Sequence, residues 1–163
     1  MVFLCGARDF HAMDWYRSAK ALAPEAEILI VTDLISAEGY KKLITTEDVI
    51  FPLIIIDKYL FNRQSKLGHL WRNIVKLLVF PFQTFLLRRF SKAHPEKIYY
   101  AHSMYYIILA WASGVTFIAT PQGSDILIKP YRSLLYRYFA VISIQSAKAV
   151  SVDSNKMKTK IKE

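Results

Sequence analysis

Cysteine is nearly missing from this chain: there is one, Cys5, among 163 residues. That count excludes an internal disulfide and a cysteine-rich zinc site. Cys5 lies inside the first apolar run and reads as a small buried hydrophobe. Long apolar runs are missing too. No stretch reaches about 18 uncharged apolar residues, so no membrane-crossing helix is predicted. The nearest candidate, Leu77–Leu87, is short and contains Pro81. The opening Met-Val-Phe-Leu-Cys-Gly lacks the basic region and apolar length expected of a cleaved leader. Neither G-x-G-x-x-G nor G-x-x-x-x-G-K-S/T occurs, which removes ordinary dinucleotide binding and a P-loop. Without G-x-S-x-G no hydrolase elbow is expected. Without H-E-x-x-H or a His/Cys cluster no metal site is predicted.

Acidic residues are scarce, 13 against 22 Lys and Arg, giving a net charge of +9 and a pI of about 9.6. That balance favours anionic partners. No helix-turn-helix, zinc-finger or RNP1-type pattern appears, so nucleic acid is not an expected partner. Apolar residues are abundant: 53% of the chain, with a mean hydropathy of +0.20. At this length one domain covering residues 1–163 is expected, burying roughly 70% of its unfolded surface. The apolar excess needs an outlet in a covered sheet, a partner or a membrane surface.

Short apolar runs mark strands covered on both faces: Val2–Cys5, Ile28–Thr32, Val49–Phe51, Lys97–Ala101, Val115–Ala119 and Ala149–Val152. Helical segments fall between them. These are Met13–Leu22 stopped by Pro24, Glu38–Ile44, Lys66–Lys92 kinked or split at Pro81, Tyr105–Ser113 closed by Gly114, Leu134–Ser146, and a helix opening at Asp153-Ser154. Leu53–Ile56 is apolar but has no assigned place. The alternation predicts an α/β fold: a single Rossmann-like doubly wound, mainly parallel sheet with helices on both faces.

In the common strand order 3-2-1-4-5-6 the switch point lies between the first and fourth strands. The turns Gly6–His11, His102-Ser103 and Pro121–Asp125 would then share one crevice. They supply the candidate site residues His11, His102, Gln122, Gly123, Ser124 and Asp125, with Arg8 and Asp9 nearby. A histidine there suits a sugar hydroxyl or a proton transfer near neutral pH. Gly123 would let backbone N–H groups approach a ligand. Asp125 reads equally as a hydroxyl-binding carboxylate or a turn and cap residue. His11 reads equally as the start of a helix. His102 ends a buried strand, where nothing structural calls for imidazole.

The string Ala119-Thr-Pro-Gln-Gly-Ser-Asp-Ile-Leu, then Arg132 and Tyr136-Arg-Tyr, then Ala149-Val-Ser-Val-Asp-Ser-Asn-Lys-Met resembles the amino-terminal domain of retaining glycosyltransferases of the GT-B architecture, family-four (group 1) type. Three ordered turns carry the likeness: Tyr100-Ala-His-Ser, Thr120–Asp125 and Val152–Ser154. The resemblance implies a two-domain enzyme whose amino domain binds the acceptor. Its carboxyl domain would bind a nucleotide-sugar donor through basic residues and paired glutamates. No such donor motif occurs in these residues. The expectation is therefore an acceptor-binding half, inactive alone, that needs a C-terminal domain or partner chain. It would serve surface-polysaccharide or lipid-linked glycan synthesis, with a sugar or lipid-linked acceptor, the donor as co-substrate and no cofactor. By the same resemblance His102 contacts the acceptor or transferred sugar, and Gly6 lies near the donor diphosphate. Gly123-Ser124-Asp125 lines the interdomain cleft. The family's front-face mechanism uses the donor phosphate, so the two-carboxylate glycosidase pattern is not assigned. A nucleotide-sugar epimerase is the rival enzyme reading. A non-catalytic module that binds lipid or a donor-binding chain is the rival of another class.

Between Lys58 and Pro95 there are eight Lys/Arg residues and no Asp or Glu, interleaved with large apolar residues. Such a helix reads as an interfacial anchor on anionic lipid. Lys66, Trp71, Arg72, Lys76, Arg88 and Arg89 are the expected contacts. It reads equally as an ordinary sheet-packing helix with solvated lysines. The expected location is cytoplasmic, peripheral at the inner face of the cell membrane.

Overall fold

Val2, Phe3 and Leu4 have no polar residue among them, and they form the central strand β1 (Val2–Leu4) of a six-stranded parallel sheet in the computed structural model. The structure describes residues 1–6, 10–33, 48–54, 56 and 66–162. The other strands are β2 (Leu29–Thr32), β3 (Val49–Pro52), β4 (Tyr99–His102), β5 (Phe117–Thr120) and β6 (Ala149–Val150), in the order β3-β2-β1-β4-β5-β6. All pairings are parallel, which fits the doubly wound Rossmann-like expectation. Among the described residues six α-helices accompany them: α1 (Phe10–Leu22), α2 (Lys66–Ala93), α3 (Met104–Ser113), α4 (Gly123–Leu127), α5 (Leu134–Gln145) and α6 (Asn155–Lys162).

Alternate strand residues go to opposite faces. Val2, Leu4, Leu29, Val31, Tyr99, Ala101, Phe117 and Ala119 join one core with Leu87, Ile107 and Leu109. Phe3, Cys5, Ile28 and Ile30 face the other way, onto Met13 and Tyr16 of α1. Cys5 is buried there, as its apolar surroundings imply. On the first face α3 packs between α2 and α5 and over β4 and β5.

Several expectations change, among them β4, which runs Tyr99–His102 rather than Lys97–Ala101. Of the two outcomes expected at Pro81, a kink or a split, the split does not occur: α2 runs unbroken for 28 residues. Proline removes a hydrogen bond to the carbonyl four residues back, here Leu77, which is exposed, so water can serve that oxygen. The continuous helix also brings Leu70–Ala93 to the length and hydropathy of a membrane span, with 17% of it buried. Its buried face is part of the core, so it packs as a sheet helix on one side. Strand β5 begins two residues late because the Gly114 cap, at φ 68, is completed by Val115, whose N–H reaches the Ala110 carbonyl at 3.3 Å. The short α4 and a 3-10 turn at Lys129–Tyr131 fill a stretch that had no predicted element. Leu53 and Ile56 find their place on the end of β2, through N–H bonds to Thr32 and Asp33 carbonyls. Ser154 caps α6 by accepting from Met157 N–H at 3.3 Å. The predicted helix at Glu38–Ile44 lies outside the described residues.

Candidate functional site

The carboxyl ends of β1, β4 and β5 meet at the switch point, and a cavity of about 690 Å³ opens there between α2, α3 and α5. Parallel sheets place ligand sites at this edge because adjacent connections leave it in opposite directions. The turns supply Gly6, His102, Ser103, Gln122 and Asp125. Helix α2 supplies Arg72, Lys76, Leu77 and Phe80, α3 supplies Tyr105, Ile108 and Trp111, and α5 supplies Tyr136 and Phe139. The lining is apolar toward Leu77, Ile108, Trp111 and Phe139, with polar groups gathered near the turns.

His102 is the last residue of β4 and is buried. Its Nδ1 lies 3.2 Å from the Thr120 hydroxyl, and that hydroxyl is 3.1 Å from the Ala101 carbonyl. A hydroxyl has one proton to give. Donation to Ala101 leaves Thr120 Oγ1 to accept from His102 Nδ1–H. In the neutral ring the lone pair then sits on Nε2, 3.5 Å from the amide nitrogen of Gln122. The single lone pair on Nε2 therefore meets the Gln122 side-chain amide, so a ligand hydroxyl donating to His102 would have to take the place of Gln122. Ser103, the next residue, has φ 67 and is the single non-glycine positive-φ residue among those described. Its strain, about 1–3 kcal/mol, is held by Ser103 N–H donating to Thr120 O and by Ser103 O accepting from Ile107 N–H.

Asp125 is buried at the start of α4, and its carboxylate receives four donors. Oδ2 accepts from Met104 N–H at 2.9 Å and Gln122 N–H at 3.2 Å; Oδ1 accepts from Lys129 Nζ at 2.6 Å and Tyr136 OH at 3.1 Å. One side chain therefore ties the β4–α3 turn to α4, the 3-10 turn and α5. A second buried carboxylate, Asp33, lies just past β2. It accepts from Tyr106 OH and, at 3.1 Å, from Gln83 Nε2, and it pairs with Lys76 Nζ at 3.5 Å. Lys76 is only 14% exposed, and its ammonium lies 3.8 Å from the Tyr105 ring centroid. Tyr105 OH donates to Gln83 at 2.5 Å, closing the network.

Burial, followed by the neighbouring Asp33, raises the phenol pKa of both Tyr105 and Tyr106. Burial and Asp125 raise that of Tyr136. Burial and a hydrogen bond to Asp48 raise that of Tyr16, and burial pushes Tyr99 up to about 12. A raised phenol pKa means that the folded chain holds its proton more tightly. The contribution is complete below the unfolded value of about 10 and is lost as pH rises through the folded values. Urea unfolding across the alkaline range is therefore expected to show stability falling above about pH 10. The share of phenolate absorbance that belongs to these five tyrosines should develop together with unfolding. Full-amplitude titration of all ten tyrosines in the folded chain contradicts this.

The cavity brings together Gly6, His102, Gln122 and Asp125 of the predicted residues. His11 is exposed on the first turn of α1 and does not line it. Ser124 is exposed and Gly123 is half-buried; neither is among the lining residues. Gly123 is the first residue of α4, and a Cβ there would meet Met157 Sδ at 3.9 Å, an ordinary contact. Of the two readings of Asp125, the turn and cap role is the one seen: it takes part in the capping box of α4, and its carboxylate is occupied by four donors from the chain. Among the expected membrane contacts, Trp71, Arg88 and Arg89 are exposed on α2. Arg88 also donates to the Ala112 carbonyl at 2.9 Å. Arg72 is half-buried on the cavity wall. Lys76 corrects the expectation: it turns inward because Asp33 and the two tyrosine rings offer its charge a partner. Lys66 is the first residue of α2. Arg8 and Asp9 lie outside the described residues. Lys129 and the ring of Trp111 were not anticipated. Their signal was weak, because α4 and the 3-10 turn that carry Lys129 to the site are too short to show periodicity.

The fold and cavity define a Rossmann-like doubly wound α/β domain with a switch-point pocket. Comparison with protein-family models, curated proteins and solved structures gives no match in any of the three.

Proposed function

We propose that this chain is the acceptor-binding half of a nucleotide-sugar-dependent glycosyltransferase. The observation that supports it best is the meeting of the His102-Ser103 turn with Gln122 and Asp125 at one switch-point cavity. Two of the three turns on which the family resemblance rests meet there; the third, Val152–Ser154, does not line the cavity. An acceptor hydroxyl would donate to His102 Nε2 in place of the Gln122 amide. The apolar wall suits the hydrophobic portion of an acceptor, and Arg72 on the cavity wall suits an anionic linkage.

Ligand-dependent thermal unfolding of the chain tests this reading. A soluble sugar-terminated acceptor analogue should raise Tm, whereas a nucleotide sugar should not. His102→Ala should weaken the analogue about tenfold and leave unfolding free energy within about 1 kcal/mol. With the donor-binding half present, the same variant should lower kcat/KM by about 100-fold. Protection by nucleotide sugars with none by acceptor analogues sinks the reading. So does unchanged analogue binding in His102→Ala.

A further inference from the structure

Helix α2 is apolar on two sides, and only one is covered. Val75, Gln83 and Leu87 face the core, whereas Leu70, Ile74, Leu77, Leu78, Phe82 and Phe85 are exposed. At about 100° per residue, the exposed set falls within an arc of roughly 140°. Across the cavity, α5 exposes Leu134, Leu135 and Tyr138. Leu77 belongs to both features: it lines the cavity and is 74% exposed. The cavity mouth therefore opens beside an apolar surface.

Charge selects the occupant. The exposed stripe ends in Arg88, Arg89 and Lys92, and the sequence has no Asp or Glu from Lys58 to Pro95. An apolar stripe with cations at its end, and no acid to repel an anionic surface, matches a bilayer's hydrocarbon edge and headgroup layer. The helix lies on such a surface rather than crossing it, because Gln83 on its inner side is bonded to buried Asp33.

We propose that this face docks on an anionic lipid bilayer, with the outward stripe of α2 lying in the interface and the cavity mouth open to the membrane. The docking stands without the acceptor reading. Its corollary, that the cavity's ligand arrives from the bilayer, rests on that reading.

Vesicle co-sedimentation of the full chain without sugars tests it. The probes are phosphatidylcholine vesicles and phosphatidylcholine–phosphatidylglycerol vesicles. The chain should pellet with the mixed vesicles, more weakly as salt rises, and much less with phosphatidylcholine alone. Phe82→Glu with Phe85→Glu should weaken binding at least about a hundredfold. Arg89→Glu with Lys92→Glu should weaken it about 30-fold, at an unchanged unfolding midpoint. His102→Ala should bind vesicles normally. No lipid-dependent pelleting overturns the proposal. Concentration-dependent dimerisation abolished by the Phe82/Phe85 variant also overturns it, because a second copy would then cover the stripe. Vesicle binding without acceptor binding removes the transferase reading and leaves the docking in place.

Discussion

Asp125→Ala is expected to lower the unfolding free energy by about 3–5 kcal/mol, measured by urea denaturation. The loss comes from what the carboxylate leaves behind. Met104 N–H opens α3 and its bond to Asp125 is buried, while Gln122 N–H opens α4 and its bond is part-buried. Each orphaned buried donor costs about 1–3 kcal/mol. Tyr136 OH loses its acceptor as well. Lys129 adds little, because its side chain is half exposed and can be hydrated. Asp125→Asn keeps the volume but turns an amide hydrogen toward one donor, so it should recover only part of the loss. An Asp125→Ala chain as stable as the parent would remove Asp125 as the organiser of the site.

Asp33→Ala is expected to cost a similar amount, about 3–5 kcal/mol, for a different reason. Here the group left behind is a cation. Lys76 is largely buried among Tyr105, Tyr106 and Asp33, and without Asp33 its charge loses its counter-ion. Gln83 and Tyr106 OH lose their acceptor too. Lys76→Met alone should cost less, because Asp33 keeps two donors. The double variant should be more stable than the sum of the single losses predicts, by about 1–3 kcal/mol of coupling. Additive losses would show that Lys76 and Asp33 do not act as a pair.

Much of the fold could be read from runs of apolar residues, because a parallel sheet covered on both faces leaves no alternation to confuse them. Val2–Leu4 and Leu29–Thr32 are examples. Their order follows from chain crossings that a doubly wound sheet permits. Boundaries were less legible where one element finishes inside another's territory, as Val115 does in closing α3. The site was half legible. His102 showed itself because imidazole at the end of a buried strand has no packing reason. Asp125 showed itself as a site or cap carboxylate, but not as the tie between turns, because its partners Met104 and Tyr136 come from elements remote in sequence. Lys76 was misjudged for the same cause: composition shows a basic helix, but only packing shows which lysine meets a buried carboxylate.

The central place of β1 also dictates an order of assembly. Its second neighbour is β4, paired through Val2 with Tyr99. During synthesis β1 can pair with β2 early, but its other edge stays open until Tyr99–His102 has left the ribosome. Throughout that interval the nascent chain displays an unpaired apolar strand edge, joined toward its end by the apolar faces of α2, a combination that invites aggregation. Non-local closure of this kind is slow. Chaperone binding to nascent chains should therefore peak before β4 emerges, and an insertion between β3 and α2 that delays its arrival should lower the soluble yield more than one placed after β5.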